Sequence, residues 1–167
     1  MGDANLGVFV SDQVVECICD ELVPLADLLT PNQFEVGLIA GSQLSRWREL
    51  ETAVLKIQEQ RGARFVVTGC TLSDTPDGSL ENIVFEDKSC TRLTSPRLPM
   101  VPVGAGDLYT GLLTANLARD LTLVEAARRA AAIVLDILGR TMAEGEHEMQ
   151  LASVIETLGP ACKEPSE

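Results

Sequence analysis

The stretch ARFVVTGC, residues 63–70, decides the fold class of this chain. Its apolar side chains occupy consecutive positions, which is typical of a strand that is covered on both faces inside an α/β sheet. The run ends in Thr68 and Gly69, small residues that open into a loop. Because ligands of open α/β sheets bind at such strand ends, we expect a functional site beside this pair.

The segments before this strand predict one further parallel strand and three helices. The strand is short and buried, with the sequence ADLLT at residues 26–30. The helices are expected from Ser11 to Pro24, with Val14, Val15, Ile18 and Leu22 on one face; from Pro31, at the first helical position, to a stop at Gly41; and from Ser45 to Gln60, with Trp47, Leu50, Val54, Leu55 and Ile57 on the apolar side.

The segments after the strand predict a hairpin and three more helices. Residues 71–81 carry turn chemistry, and NIVFED (82–87) and CTRLTSP (90–96) are short strands that pair across Lys88 and Ser89. The remaining elements are helices from about Asp107 to Arg119, Leu123 to Arg140 and Glu148 to Leu158, and a frayed tail at residues 161–167.

This order of elements predicts an α/β fold with a parallel sheet. The sequence contains only two convincing parallel strands, and such a pair makes a poor independent sheet because parallel sheets need both faces covered. We therefore expect residues 1–160 to be the C-terminal part of a single domain whose first strands are missing from the chain.

Composition limits the classes of partner. The chain has 167 residues, of which 46% are hydrophobic, and a net charge of −12. This acidity disfavours nucleic acid as a partner, because phosphate binding is driven by Lys and Arg. No stretch approaches the roughly 20 apolar residues that span a bilayer, and the start MGDANLG lacks the features of a secretory signal. We expect a cytoplasmic protein with no membrane partner.

The cysteines and the histidine exclude several chemistries. The five cysteines include no CxxC pair, so free thiols are expected. The only histidine, His147, lies in the polar run AEGEHEMQ and is expected to be solvated. A single histidine removes the Ser-His-Asp triad and multi-histidine metal sites from consideration.

The stretch VPVGAGDLYTGLL, residues 101–113, allows two interpretations. Gly-rich turns often precede helices, and Asp107 is a favourable early-helix residue. Alternatively, the backbone amides of Gly104, Ala105 and Gly106 are open to an anion at the positive end of the helix, with Asp107 beside them as a proton acceptor. The stretch alone does not decide between the two.

Four short stretches, taken in order, resemble the pyridoxal kinases of the ribokinase-like family. They are MGD with Asp3, TPNQFE at 30–35, VVTG at 66–69 and GAGD at 104–107. The resemblance covers nearly the whole chain and implies a ribokinase-like three-layer α/β fold that is partial, with the N-terminal half of the sheet missing. It also implies ATP-dependent phosphorylation of the 5′-hydroxyl of pyridoxal, pyridoxine or pyridoxamine in pyridoxal 5′-phosphate salvage.

The resemblance implies a role for each residue of GAGD. Asp107 is the general base that takes the proton of the substrate hydroxyl. The backbone amides of Gly104, Ala105 and Gly106 form the anion hole for the transferred phosphoryl group. This assignment agrees with the second interpretation of residues 101–113.

The resemblance also implies a nucleotide and magnesium site. Asn32 and Glu35 face the phosphates of ATP, and Glu35 and Asp3 help to hold Mg²⁺. The alternative is that Asn32 only caps its helix and that Glu35 only complements the helix dipole. Asp3, considered alone, would be solvated.

The remaining implied contacts lie at strand ends and in one loop. They are Thr68 and Gly69 on the nucleotide phosphates, Thr30 and Thr68 near a monovalent cation, and Leu98, Pro99 and Met100 against adenine. A hydroxyl at a strand end is common without any function, and an apolar loop that covers the edge of the core explains residues 98–100 equally well.

Two other functions stay open. A chain that lacks the substrate half could bind nucleotide or dimerise without turnover. A relative of the same fold could phosphorylate a hydroxymethylpyrimidine or a sugar, although relatives that act on hydroxymethylpyrimidine tend to carry Cys at the position of Asp107, and sugar kinases tend to lack TPNQFE. The resemblance implies a homodimer for the full-length protein.

Overall fold

The computed structural model describes residues 1–4, 7–87, 89–100, 103–146 and 148–149. The strands are β1 (Gly2–Asp3), β2 (Gly7–Val8), β3 (Leu28–Leu29), β4 (Arg64–Cys70), β5 (Ser79–Glu86) and β6 (Ser89–Pro96). The helices are α1 (Asp12–Cys17), α2 (Gln33–Ala40), α3 (Trp47–Arg61), α4 (Ala105–Leu117) and α5 (Leu123–Ala143). A π turn (Ile18–Leu22) and a 3₁₀ turn (Val23–Leu25) follow α1.

One mixed sheet organises the molecule. Its strand order is β3-β4-β5-β6, and β1 and β2 form a separate antiparallel pair. β3 runs parallel to β4, as predicted for these two segments. The hairpin strands β5 and β6 are antiparallel, and β5 also pairs with β4 in the antiparallel direction, a pairing that the sequence analysis did not predict. The connection of residues 71–78 is too short for the crossover that a parallel pair of strands requires.

The predicted hairpin is confirmed. β5 and β6 pair along their whole length, from Ser79 opposite Pro96 to Glu86 opposite Ser89. β5 begins at Ser79, inside the segment that was predicted as a turn, so the turn prediction is wrong for its last three residues. β5 is longer than its apolar centre because it pairs with all eight residues of β6.

Helices cover both faces of the sheet. On one face Val66 and Val84 pack in a cluster with α4 and α5. On the other face Phe65 and Val67 pack in a cluster with α2 and α3. Successive side chains of β4 therefore point to opposite layers, as expected for a strand buried on both sides. The three-layer α/β arrangement predicted from the sequence is confirmed.

The first helix differs from its prediction. Ser11 is the N-cap as expected, but the α-helix ends at Cys17, and Pro24 lies in the 3₁₀ turn that follows. The predicted apolar face is not buried, since Val14 is 43% and Leu22 is 56% exposed. The apolar spacing predicted an amphipathic helix correctly, but it carried no information about what covers that face.

The next two helices agree with prediction except at their starts. Pro31 precedes the N-cap Asn32 instead of occupying the first helical position, so α2 begins at Gln33. Gly41 ends α2 in the left-handed conformation with φ of 67°, as predicted. α3 begins at Trp47, two residues after its predicted start, and the middle of its predicted apolar side is buried.

The C-terminal helices are close to their predicted positions. α4 begins at Ala105, two residues before the predicted start. α5 begins at Leu123 as predicted, behind the N-cap Thr122. The predicted helix from Glu148 to Leu158, apart from its first two residues, and the tail at 161–167 lie outside the described residues. None of the helices within the described ranges is long and apolar enough to cross a membrane.

Candidate functional site

The carboxyl ends of β3 and β4 meet the start of α4. The hydroxyl of Thr30, directly after β3, lies 3.0 Å from the hydroxyl of Thr110 in α4. Thr68 and Gly69, near the carboxyl end of β4, line the same cavity as Ala105 of α4. Three segments that are distant in the sequence therefore converge on one edge of the sheet.

The start of α4 leaves backbone amides available. Gly104 is the N-cap with φ of 83°, a left-handed conformation that favours glycine. The first hydrogen bond of the helix runs from Leu108 N–H to Gly104 O, at 3.0 Å. The amides of Ala105, Gly106 and Asp107 therefore have no partner within the helix, and such amides are suited to binding an anion. Gly106 and Asp107 are exposed.

Thr110 is a residue of this site that the sequence reasoning missed. Its hydroxyl donates to Gly106 O at 2.9 Å. Since a hydroxyl has one proton, the contact between the two threonines places Thr30 as the donor to Thr110. Thr110 thus ties the first turn of α4 to the end of β3. The sequence offered one signal, because Thr110 follows Gly106 by four residues, the spacing at which threonine bonds back to a helix carbonyl.

The end of β4 contains an irregularity that a second missed residue holds. Gly69 has φ of 61°, and the register between β4 and β5 shifts between Val67 and Cys70. The amide of Gly69 donates to Asn82 Oδ1 at 3.0 Å. Asn82 is only 6% exposed. The signal for it was an asparagine inside a predicted strand, where asparagine is depleted.

Asn32 and Glu35 form the cap of α2 and contact β1. Glu35 N–H donates to Asn32 Oδ1 at 2.9 Å, and Asn32 N–H donates to Glu35 Oε2 at 3.0 Å. Asn32 Nδ2 also donates to Gly2 O at 2.8 Å, and the amino group of Met1 forms an ion pair with Glu35 at 2.5 Å. The pair is therefore a capping box, and it also places the strand that carries Asp3 at the start of α2.

Thr68 connects this group to the cavity. Its amide donates to Pro31 O at 2.9 Å, and Thr68 pairs with Asn32 in a parallel bridge. Thr30 and Thr68 thus lie at the ends of neighbouring strands, but the hydrogen-bond partner of the Thr30 hydroxyl is Thr110.

The carboxylates of Asp3 and Glu35 are the type of ligand that Mg²⁺ takes. Glu35 Oε1 accepts from the Met1 amino group and Oε2 from Asn32 N–H. Within the described residues there is no group of three or more His, Cys, Asp or Glu side chains that could hold a metal. Mg²⁺ is commonly bound through one or two carboxylates together with phosphate oxygens of a substrate, and this donor chemistry fits an ion of that kind. This donor set also disfavours a structural zinc site, which takes four protein ligands.

A cavity of about 260 Å³ lies between the sheet and α5. Its sheet side is formed by Thr68, Leu80, Asn82 and Ser95, and its helix side by Ala131, Val134, Leu135 and Leu138. Ala105 and Gly106 of α4 close one end. The cavity therefore combines an apolar wall with backbone amides, and this combination suits a molecule with a flat apolar ring and an anionic group.

Two of the three residues predicted to contact adenine line this cavity. They are Leu98 and Met100, whereas Pro99 between them is exposed and is not part of the lining. Arg97 also lines the cavity. Contact of Leu98, Pro99 and Met100 with adenine stays a prediction.

A charged network occupies the opposite face of β5. The Glu81 carboxylate is 3% exposed and accepts hydrogen bonds from Arg92 and from Thr75. Arg92 also pairs with Asp74 and lies over the ring of Trp47. Burial raises the pKa of Glu81, but the hydrogen bonds from Arg92 and Thr75 outweigh it, so this pKa lies below its usual value. The network stabilises the hairpin and does not line the cavity.

The cysteines of the described residues are free thiols. Cys17 and Cys90 are exposed, Cys19 is half-buried and Cys70 is buried. Burial raises the pKa of the Cys70 thiol to about 12, so it stays protonated and unreactive at neutral pH. His147 and Cys162 lie outside the described residues.

Comparison with known proteins identifies the group of sequences that this chain resembles. Residues 5–152 match the phosphomethylpyrimidine kinase family. The chain is 34% identical over 154 residues to the pyridoxal kinase PdxY of Leifsonia xyli subsp. xyli, and this alignment covers 90% of the chain and 53% of the relative. The chain thus spans about half the length of the curated relatives it matches.

Solved structures share the same fold. The pyridoxal kinase from Entamoeba histolytica superposes with a TM-score of 0.83 at 22% identity, covering 96% of this chain and 56% of that one. The pyridoxal kinase from Leishmania donovani, solved in complex with ADP and pyridoxine, superposes with a TM-score of 0.80 at 23% identity, covering 95% and 54%. The three-layer arrangement of α2 and α3, the sheet, and α4 and α5 is therefore the fold of these kinases.

Proposed function

The chain belongs to the phosphomethylpyrimidine kinase family, and from this membership we propose that it carries the nucleotide side and the general base of a vitamin B6 kinase. The proposed reaction transfers the γ-phosphoryl group of MgATP to the 5′-hydroxyl of pyridoxal. Pyridoxine and pyridoxamine are the further substrates of the proposal. The pyridoxal kinase names of the matched relatives support it.

One observation carries the proposal. Ala105 and Gly106, whose amides have no partner within α4, line the same cavity as the end of β4, and the opposite wall of this cavity is apolar. Such a cavity suits a nucleotide, because the adenine ring packs against the side chains of α5 while the phosphates approach the amides. The complex of the Leishmania donovani relative with ADP supports a nucleotide as the ligand.

Asp107 is the proposed general base. Its carboxylate is exposed in the first turn of α4, beside the amides of Ala105 and Gly106. A substrate hydroxyl bound there can give its proton to the carboxylate as it attacks the γ-phosphorus. The amides then donate hydrogen bonds to the phosphoryl oxygens, where negative charge develops during the transfer.

Asp3 and Glu35 are the proposed ligands of Mg²⁺. When bound, the ion neutralises charge on the phosphate oxygens. Asn32 bonds both to β1 and to Glu35, and thereby orients Glu35. In the proposal, the phosphates bind at this edge of the sheet. We retain Thr30 and Thr68 as proposed neighbours of a monovalent cation.

A second candidate function is nucleotide binding or dimerisation without turnover. The exposed apolar side chains between residues 8 and 25 favour the dimerising form of this candidate. A hydroxymethylpyrimidine or a sugar as substrate is a weaker candidate, because position 107 is Asp and residues 30–35 read TPNQFE. The cytoplasmic location and the full-length homodimer stay predictions.

The experiment is a coupled assay of ATP-dependent pyridoxal phosphorylation by the purified chain. Asp107→Asn keeps the shape of the side chain but removes the base, so we expect turnover to fall at least about 100-fold. Asp120→Asn is the matched control, because Asp120 is exposed with φ of 61°, a conformation that asparagine also tolerates. We expect this control to keep wild-type turnover.

The assay separates the candidates. Turnover that Asp107→Asn abolishes and Asp120→Asn retains supports the kinase proposal. A folded chain that binds MgATP without any turnover supports the second candidate. A folded chain that neither binds MgATP nor phosphorylates pyridoxal contradicts the kinase proposal and the nucleotide-binding form of the second candidate.

A further inference from the structure

Asn82 is a buried carboxamide that neither the fold nor the proposed chemistry has used. It lies inside β5, opposite Leu93 of β6, and is 6% exposed. Strand interiors disfavour asparagine, and a buried carboxamide requires hydrogen-bond partners. A residue of this kind at the wall of a cavity calls for a specific explanation.

The oxygen of Asn82 supports the irregular end of β4. At the register shift the strand ladder supplies no partner for the amide of Gly69, and Asn82 Oδ1 accepts from it at 3.0 Å. Gly69 has φ of 61°, and a Cβ added there would meet no atom within 4 Å. The left-handed backbone conformation, and not crowding of a side chain, therefore favours glycine at this position.

The same hydrogen bond determines the orientation of the carboxamide. Because the Gly69 amide is a donor, the carboxamide atom that faces it must be Oδ1, and Nδ2 must point away from Gly69. Within the described part of the chain, Nδ2 makes no hydrogen bond, and no fully buried side-chain nitrogen or oxygen lacks a partner. Nδ2 is therefore accessible, and the cavity that Asn82 lines provides the access.

Two other polar side chains of the lining, those of Tyr109 and Thr68, already have partners. Tyr109 donates its hydroxyl to Ala127 O at 3.2 Å, and the Thr68 hydroxyl lies 3.5 Å from Pro31 O. Asn82 thus presents an accessible N–H donor to the cavity that Ala105, Gly106 and the apolar side chains of α5 also line. A ring nitrogen or a sugar oxygen of a nucleotide is the acceptor chemistry that suits such a donor.

We propose that Asn82 both positions Gly69 and binds the nucleotide, with Oδ1 holding the backbone at the end of β4 and Nδ2 donating to an acceptor atom of the base or the sugar. The inference rests on the proposed function for the identity of the ligand. The part of the inference that concerns the positioning of Gly69 needs no ligand and can be tested on the ligand-free chain.

The test separates the two ends of the carboxamide. Asn82→Asp keeps an oxygen for the Gly69 amide but replaces the Nδ2 donor. We expect MgADP binding, measured by titration calorimetry at pH 8, to weaken about ten-fold. Relative to the wild type at each pH, affinity should recover as the pH is lowered, because a protonated carboxyl can again donate. Asn82→Leu, which has neither a charge nor a donor, should bind MgADP weakly at every pH, whereas wild-type affinity in this variant would mean that charge repulsion alone weakens Asn82→Asp.

Amide hydrogen exchange measured by NMR tests the positioning part. The Gly69 amide should be protected in the ligand-free wild type and in Asn82→Asp, and should lose protection in Asn82→Leu, which has no acceptor. The matched control is Asn116→Asp. Asn116 is 4% exposed, donates to Leu112 O at 2.8 Å and is not part of the cavity lining. We expect it to lower thermal stability without changing the MgADP affinity of the folded chain.

The outcomes distinguish this inference from the proposed function. Wild-type binding of MgADP that Asn82→Asp leaves unchanged at every pH overturns the donor part and leaves the proposed function standing. A folded wild type that does not bind MgADP overturns the proposed function and the donor part together. An unprotected Gly69 amide in the wild type overturns the positioning part alone.

Discussion

Glu81 and Asn82 are neighbours on β5 whose side chains serve opposite faces of the sheet. Glu81 joins Arg92 and Thr75 in a charged network, whereas Asn82 holds Gly69 at the cavity. Both are buried polar residues in a strand, so both depend on their partners to offset the loss of hydration. One strand thus contributes to hairpin stability on one side and to the candidate site on the other.

The charge of Glu81 predicts a dependence of stability on pH. Its pKa is lower in the folded chain than in the unfolded chain, so its contribution is present above the unfolded value and is lost as the pH falls through the folded value. Glu81→Gln should lower the free energy of unfolding at pH 7 by about 2 kcal/mol, because charge-assisted hydrogen bonds are lost. Below about pH 4.5 the free energy of unfolding of the variant should fall less steeply with decreasing pH than that of the wild type. Urea unfolding between pH 3 and pH 7 measures both effects.

Glu86→Gln is the matched control for this prediction. Glu86 lies on the same strand and pairs with Arg64 at 3.2 Å, but both side chains are substantially exposed. An exposed ion pair contributes little, so we expect a change within about 0.5 kcal/mol. Equal losses in the two variants would contradict the assignment of the stabilising role to the buried network.

At the scale of single elements, the start of α2 combines a structural and a proposed functional role. The capping box of Asn32 and Glu35 satisfies amides at the helix start, which is sufficient reason for both residue types. The additional bond from Asn32 Nδ2 to Gly2 O places β1, and with it Asp3, at the same point. The same cap therefore brings Asp3 of β1 to the start of α2, so a capping role is compatible with the proposed binding of phosphate and Mg²⁺.

Asn32→Asp separates these two roles. The carboxylate still accepts from Glu35 N–H and is favourable at a helix start, but the hydrogen bond to Gly2 O is lost, so the free energy of unfolding should fall by about 1 to 2 kcal/mol. The affinity for MgADP should fall, because the new charge repels the phosphates and Nδ2 is lost. Calorimetric titration and urea unfolding measure the two quantities. Unchanged affinity would mean that Asn32 is only a cap.

Thr122→Ala is the control for loss of a cap elsewhere. Thr122 caps α5 and accepts from Glu125 N–H at 3.3 Å. The substitution should lower stability by about 1 kcal/mol. The MgADP affinity of the folded chain should not change.

At the scale of the whole molecule, the apolar surface is distributed unevenly. Among the described residues, five of the seven exposed large apolar side chains are Val8, Phe9, Val14, Leu22 and Leu25. β3, which follows them, is an edge strand of two residues that pairs only with β4 in the described sheet. Exposed apolar groups of this kind favour association with another protein surface.

The double variant Phe9→Ser/Leu25→Ser tests this distribution. Phe9 is 63% and Leu25 is 80% exposed, so their replacement should change the free energy of unfolding by less than about 0.5 kcal/mol. Sedimentation should show less self-association of the chain. Val54→Ala in the buried core of α3 is the contrast and should cost at least about 2 kcal/mol. A large loss of stability in the double variant would place these side chains in the core.

The sequence by itself determined the features that depend on neighbouring residues. The buried run at 63–70, the hairpin at 82–96, the stop of α2 at Gly41 and the start of α5 at Leu123 follow from local patterns. The residues of the proposed nucleotide site were predicted from motifs that resemble a kinase family, and three of them, Thr68, Leu98 and Met100, line one cavity.

Only the tertiary structure decided which distant residues meet. The antiparallel pairing of β4 with β5, the exposure of the α1 face, and the contacts of Thr110 and Asn82 could not be predicted from local patterns. Thr30 and Thr110 are 80 residues apart in the sequence, and their contact exists because the sheet brings the end of β3 to the start of α4. Hydrophobic periodicity and capping residues indicate which secondary structure each segment prefers. A hydrogen bond between distant segments depends instead on how the layers pack.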